Sequence, residues 1–215
     1  MTAFDPLRMK RDKPLDPAVT AVLIVDAQNA EIDEPYRSAH PAYWQAIQER
    51  ALPAMRQLLE GSRAAGCEVL YTVIEALTRD GRDRSLDHKL SGILVPRGSP
   101  GAKVIAEVAP RDDEIVLPKT SSGVFNSTNI DYLLRNLGVE NLIVAGFLTD
   151  QCVDMAVRDA ADRGYYVVCA ADACASHSEE RHETALEAFG GYCRVQTVAE
   201  ILSDLPSVPE AAVAL

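Results

Sequence analysis

Cys152 stands where an apolar run gives way to a helix, in Leu142-Ile-Val-Ala-Gly146-Phe-Leu148-Thr-Asp-Gln151-Cys152-Val-Asp-Met. A thiol in the first turn of a helix faces unpaired backbone N–H groups and the positive end of the helix dipole, both of which favour thiolate. Most free cysteines fill cores and stay inert, but this placement predicts a nucleophile. Asp26 ends the run Thr20-Ala-Val-Leu-Ile-Val, and Lys119 follows Ile115-Val-Leu-Pro118 ahead of Thr-Ser-Ser-Gly123-Val-Phe125-Asn-Ser-Thr128. Singly, an acid after a strand is often a turn former or helix cap, and a lysine is by default a surface residue. Together they place an acid, an ammonium and a thiol at three strand ends. In a doubly wound parallel sheet those ends share one edge, so groups distant in sequence meet in one crevice. The chemistry this predicts is nucleophilic: the ammonium lowers the thiol's pKa, and the carboxylate takes the thiol proton and later delivers it to a leaving amine. None of His40, His88, His177 and His182 ends an apolar strand, so nothing in the sequence points to a Cys–His pair.

The elements that must position these groups alternate. Hydrophobic patterning predicts strands at 21–26, 68–74, 114–117, 141–146, 165–170 and 192–196. Between them it places helices within 43–65, at 101–108, 128–137, 152–163 and 178–189, and a last one near 197–203. Thr128 reads as an N-cap, Ser178-Glu-Glu as an acidic first turn, and Gly138 and Gly164 as helix stops. Apolar strands separated by helices predict an α/β fold: a single-domain, three-layer α/β/α sandwich with a mainly parallel, Rossmann-like sheet of six strands. Residues 76–100, with three glycines and two prolines, read as a long loop able to cover the site. Residues 1–17 read as an amino-terminal arm, 18–205 as the single folded domain, and 206–215 as a tail.

At 215 residues, with 47% hydrophobic and 25% charged side chains, the chain suits one domain with a substantial core. A net charge of −11 argues against nucleic acid as a partner, because the phosphate backbone demands basic surface. No apolar run reaches the roughly 20 residues of a membrane span and no secretory leader is recognisable, so a cytoplasmic setting without membrane attachment is expected. Five cysteines without Cys-x-x-Cys spacing indicate neither a disulfide framework nor a zinc site.

These residues resemble the isochorismatase-like cysteine hydrolases, which include nicotinamidases, N-carbamoylsarcosine amidases and ureidoacrylate amidohydrolases. The likeness runs over about residues 18–203. It is carried by Val22-Leu-Ile-Val-Asp26-Ala-Gln28-Asn29, the Pro118–Thr128 loop, Gly146-Phe-Leu-Thr149-Asp-Gln-Cys152-Val, and Arg158-Asp-Ala with the later Asp172-Ala-Cys-Ala. The resemblance implies a triad of Asp26, Lys119 and Cys152, a cis peptide at Phe147–Leu148, an oxyanion hole made by the backbone N–H groups of Leu148 and Cys152, and a homodimer or homotetramer. The metal-bearing branch carries an Asp-x-His site and a further histidine after the second strand. Here that strand leads to Glu75 and Arg79, so no catalytic metal or other cofactor is expected. True isochorismatases, which cleave a vinyl ether, lack the nucleophilic cysteine; its presence favours C–N chemistry.

The expected reaction is hydrolysis of an amide or ureido C–N bond of a small molecule through a thioester. Substrate contacts are expected from Gln28, Asn29 and Gln151, with walls from Phe125, Leu148 and Trp44. Arg79, Arg82 and Arg84 offer a guanidinium for a substrate carboxylate, and Glu75 an acceptor for a substrate N–H. The alternatives are that these charges pair among themselves or with another subunit, and that the chain is a vinyl-ether hydrolase, a non-catalytic member of the fold or a thiol sensor.

Overall fold

The computed structural model describes residues 11–206. Six strands, β1 (Thr20–Val25), β2 (Glu68–Ile74), β3 (Ile115–Lys119), β4 (Asn141–Phe147), β5 (Tyr166–Ala175) and β6 (Arg194–Gln196), form one sheet in the order β3-β2-β1-β4-β5-β6. Every neighbouring pair is parallel. The order reverses between β1 and β4, the chain running outward from β1 in both directions, and such a switch point opens a crevice at the carboxyl ends of the two central strands.

Side-chain alternation along β1 divides the core. Val22 and Ile24 face a layer built on the helices Pro41–Ala46, Leu52–Ala65 and Val198–Asp204, with Met55, Leu58 and Ile201 fully buried. Ala21, Leu23 and Val25 face Ile130–Asn136, Asp154–Asp162 and Glu179–Phe189 through Leu134, Val157 and Phe189. Burial on both faces is what makes the central strands read as unbroken apolar runs. Helix caps follow sequence: Ser178 accepts the Arg181 N–H, and Thr197 forms a capping box with Glu200.

Several boundaries differ from the sequence expectation for physical reasons. The 43–65 helix runs as two helices joined by a wider turn over Ile47–Ala51. The 101–108 helix is two single turns, Pro100–Ala102 and Ala106–Val108, and the 128–137 helix is preceded by a separate turn at Val124–Ser127, with Asn129 at the helix cap while Thr128 Oγ1 accepts the Ile130 N–H. β5 continues five residues beyond 170 after an irregularity in its pairing with β4, and Asp172 in that segment accepts the Val198 N–H at 2.8 Å. The 76–100 loop carries a short helix, Leu86–Leu90, capped by Ser85. Of the expected arm, residues 1–10 lie outside the described residues; Leu15 is buried in the core and Lys13 pairs with Glu140, so the part described is seated on the domain. Residues 207–215 of the tail also lie outside. Among the described residues no helix is long and apolar enough to cross a membrane.

Gly146 governs how close the two central strands come. Its φ of 130° lies where side-chain-bearing residues rarely go, and a Cβ there would stand 2.0 Å from the Val25 carbonyl oxygen. Gly146→Ala is therefore expected to cost about 3 kcal/mol or more, read as a lowered urea midpoint. An unchanged midpoint would mean that β1 and β4 tolerate a wider separation.

Candidate active site

β1, β3 and β4 deliver three side chains to the crevice. Asp26 is the residue after β1; its φ of 53° is a left-handed backbone that Asp enters more readily than most residues. That turn is braced by β2, since Asp26 N–H donates to the Thr72 carbonyl and Thr72 Oγ1 donates to Asp26 Oδ1, each at 3.0 Å. Lys119 is the last residue of β3. Its Nζ lies 2.8 Å from Asp26 Oδ2, donates to the Ser121 carbonyl at 2.8 Å, and reaches Cys152 Sγ at 3.4 Å. The three residues that sequence places far apart thus form one contiguous buried cluster.

Cys152 sits on a widened helical turn, Thr149–Val153, which follows β4 and leads directly into Asp154–Asp162. The Phe147–Leu148 peptide before it is cis. The Leu148 carbonyl accepts N–H groups from Gln151 and Val153, whereas the Leu148 N–H donates to no group among the described residues. The turn is pinned from outside by Glu179–Phe189: Thr149 Oγ1 and His182 Nδ1 are 2.8 Å apart, and Arg181 Nε donates to Asp150 Oδ2 at 2.6 Å. Burial holds His182 down to about 4, so it serves this contact as a neutral ring.

The electrostatics correct the expectation of a resting thiolate. Burial pushes the Cys152 thiol up to about 12; Lys119 acts against this, and the Asp26 charge adds to it. For Lys119, burial opposes the charge, but Asp26 and Cys152 outweigh it and leave the ammonium's pKa above its ordinary value. The reason is charge balance. Lys119 is already neutralised by the nearer Asp26, so ionising Cys152 as well would leave a net negative charge with little water to solvate it. The cluster rests as carboxylate, ammonium and thiol.

Asp26 and Cys152 open onto a cavity of about 330 Å³, walled by Ile74, Phe147, Leu148 and Gln151 and roofed by the 91–95 segment of the long loop. The cover expected of that loop is in place. Leu148 and Gln151 line the cavity as expected; the other expected contacts do not. Gln28 is fully buried and clamps the fold, its amide bonding the Ile74 backbone on both sides and donating to the Gly101 carbonyl. Asn29 donates to the Pro100 carbonyl, and Glu75 accepts the Gly98 N–H. Phe125 is buried behind the site against Tyr165, and Trp44 packs on the outer helix layer under Arg37.

The three arginines also stay out of the cavity. Arg82 pairs with Asp80 in solvent, its side chain 73% exposed. Arg84 donates to the Gly81 and Ile93 carbonyls and so ties the covering loop to itself, and Arg79 is exposed. Arg82 alone shows the alternative already noted for the cluster, a charge paired within its own loop.

Residues not singled out by sequence complete the walls. Glu31 lines the cavity one turn beyond Asp26 and accepts the Tyr43 hydroxyl at 3.0 Å. Burial, then the nearby Asp26 charge, raises its pKa to about 7. Tyr36 lies at the rim, its hydroxyl 2.6 Å from His177 Nε2, and His88 and Ser122 stand on the loop side. Thr72 had a visible signal, a hydroxyl inside the apolar run of β2. Glu31 had none, because its segment has no regular periodicity.

The sequence and the fold have known counterparts. Residues 20–201 match the family model described as the isochorismatase domain. The ureidoacrylate amidohydrolase RutB of Rhizobium rhizogenes is 30% identical over 74% of this chain and 71% of its own length. An N-carbamoylsarcosine amidase of Arthrobacter is 29% identical over 67% of this chain and 55% of its own. Among solved structures, a cysteine hydrolase from Pseudomonas syringae pv. phaseolicola superposes with a TM-score of 0.75 at 27% identity, covering 90% of this chain and 95% of that one. The chain belongs to the isochorismatase-like hydrolase family.

Proposed function

We propose that the protein is a cysteine hydrolase that cleaves an amide or ureido C–N bond of a small molecule through a thioester. The observation that carries this reading is Lys119 Nζ in contact with both the Asp26 carboxylate and the Cys152 sulfur at the floor of a covered cavity. As substrate fills the cavity, Asp26 takes the proton from Sγ while Sγ attacks the carbonyl carbon. Proton transfer and attack belong to one event because the free thiolate is costly in this setting. The resulting oxyanion accepts the N–H groups of Leu148 and Cys152, each such donor being worth about 3 kcal/mol in comparable sites. Asp26 returns its proton to the departing nitrogen, the C–N bond breaks, and ammonia or an amine leaves a thioester. Water, deprotonated by Asp26, then attacks; the C–S bond breaks, the proton returns to sulfur, and the acid departs. Lys119 holds the Asp26 carboxylate in place and compensates the negative charge that shifts towards Cys152 during attack.

The cysteine favours this over vinyl-ether cleavage, and the walls favour it over a thiol sensor, since none of the other four cysteines of the described chain lines the cavity to resolve an oxidised Cys152.

Ammonia release from a panel of carbamoyl compounds and primary amides tests the reading. Cys152→Ala is expected to abolish turnover while leaving a cooperative fold. Asp26→Asn and Lys119→Ala should each lower kcat by roughly a thousandfold, and the double variant by far less than the product, because the groups act as a unit. Full activity in Cys152→Ala overturns the thioester; multiplicative losses overturn the coupling.

The resting protonation pattern has its own signature. Iodoacetamide should inactivate the free enzyme with a rate rising about tenfold per pH unit between roughly pH 7 and 9, as expected well below a thiol pKa. Asp26→Asn removes the competing charge and leaves Lys119 to the sulfur alone, so its Cys152 is expected to alkylate faster near neutrality even though turnover is lost. A rate that plateaus below pH 7 in the unaltered enzyme would mean a resting thiolate.

A further inference from the structure

We infer that Glu31 is the specificity-determining residue of this cavity and that the substrate presents it with an N–H donor, neutral or cationic, and carries no carboxylate. The inference rests on the amide-hydrolase reading and narrows its substrate class. It starts from the charges of the walls. Asp26 and Glu31 both line the cavity, and among the described residues no arginine or lysine does; Lys119 lies beneath the floor, paired with Asp26. Of the arginines expected to receive a carboxylate, Arg82 is held by Asp80, Arg84 by loop carbonyls, and Arg79 is exposed and does not line the cavity. A substrate carboxylate would enter a partly dehydrated space without a counterion and face two acids, an unfavourable arrangement of like charges.

Glu31 is placed for the opposite ligand. Its Oε2 accepts the Tyr43 hydroxyl, and Tyr43 is itself buried, so the carboxyl is held in one orientation. Its other oxygen has no hydrogen-bond partner among the described residues and belongs to a side chain that lines the cavity. An oriented, unpartnered acceptor in a pocket selects donors, because a ligand lacking one leaves it unsatisfied. The groups that influence Glu31 are Asp26 at the end of β1, Lys119 at the end of β3, and Tyr36 and Tyr43 from the helical segment above. With its titration near neutral pH, Glu31 donates or accepts towards a neutral amide and ion-pairs with an amine once ionised. Ureidoacrylate and N-carbamoylsarcosine, which name the relatives above, are carboxylates, so this chain is set apart from them by charge.

The test uses three carbamoyl compounds of matched length, N-carbamoyl-β-alanine, its carboxamide, and monocarbamoylated propanediamine. Binding is measured calorimetrically to Cys152→Ala and turnover in the unaltered enzyme. The carboxamide and the amine are expected to bind about tenfold or more tightly than the acid. The ratio of kcat/KM for the amine to that for the carboxamide should rise as pH increases through about 7, where Glu31 ionises; taking the ratio cancels any titration shared by both substrates. Glu31→Gln keeps an acceptor for the Tyr43 hydroxyl and is expected to remove the pH dependence of that ratio, lowering kcat/KM for the amine more than for the carboxamide. Equal or tighter binding of the acid, binding of none of the three, or an unchanged ratio in Glu31→Gln overturns the inference. The expected binding order with no ammonia or amine released from any compound overturns the hydrolase reading instead.

Discussion

The ion pair between Lys119 and Asp26 is the constraint around which the site is organised. Both side chains are within 2% of full burial, where an unpaired charge is costly. Removing one partner of a buried pair leaves an uncompensated charge, which typically costs about 3–5 kcal/mol. The pair therefore fixes the ends of β1 and β3 relative to each other across β2, and Thr72 on β2 completes the arrangement by donating to Asp26. Cys152 is added to a cluster that is already neutral. That explains why the thiol is held protonated even though it lies against an ammonium and in the first turn of a helix: burial and Asp26 outweigh both influences.

From this follows a division of labour between rigid and adaptable parts. The acid, the ammonium and the thiol are set by strand ends, and the turn that carries Cys152 is braced by Thr149 against His182 and by Asp150 against Arg181. The covering loop is held largely by its own bonds, with the Ser85 N–H donating to the Thr120 carbonyl just beyond β3. It is held by Arg84 bonding to two carbonyls of its own loop, by Asp83 accepting the Leu77 and Thr78 N–H groups, and by the Ala76 N–H donating to the Val95 carbonyl. The three side chains are thus positioned by long-range sheet contacts, while the shape of the cavity depends largely on bonds within the loop.

Gly146 connects the two levels. Without a side chain it lets β4 approach the Val25 carbonyl, the last backbone step before Asp26, and so brings the thiol-bearing turn within reach of Lys119. A wider separation would leave the same residues at the same sheet edge and out of contact.

What the sequence determined by itself were the features encoded in short windows: six apolar strand runs, the helices between them, and the Asp26, Lys119 and Cys152 that follow or end three of the runs. Parallel pairing then makes their convergence nearly obligatory, because it puts all carboxyl ends on one edge. Tertiary structure alone decided the rest. Gln28 and Asn29 read as contacts because they adjoin Asp26, yet backbone carbonyls from distant loops consume their amides. Arg79, Arg82 and Arg84 read as carboxylate receivers because they follow β2, yet none lines the cavity: Arg82 pairs with Asp80, Arg84 bonds loop carbonyls and Arg79 is exposed. Glu31 became part of the cavity only when the chain beyond β1 folded back under Tyr43. Even the protonation state of Cys152 was a tertiary matter. A dipole and a neighbouring lysine can be read from local sequence, but the degree of burial and the prior claim of Asp26 on that lysine depend on packing between elements remote in the chain.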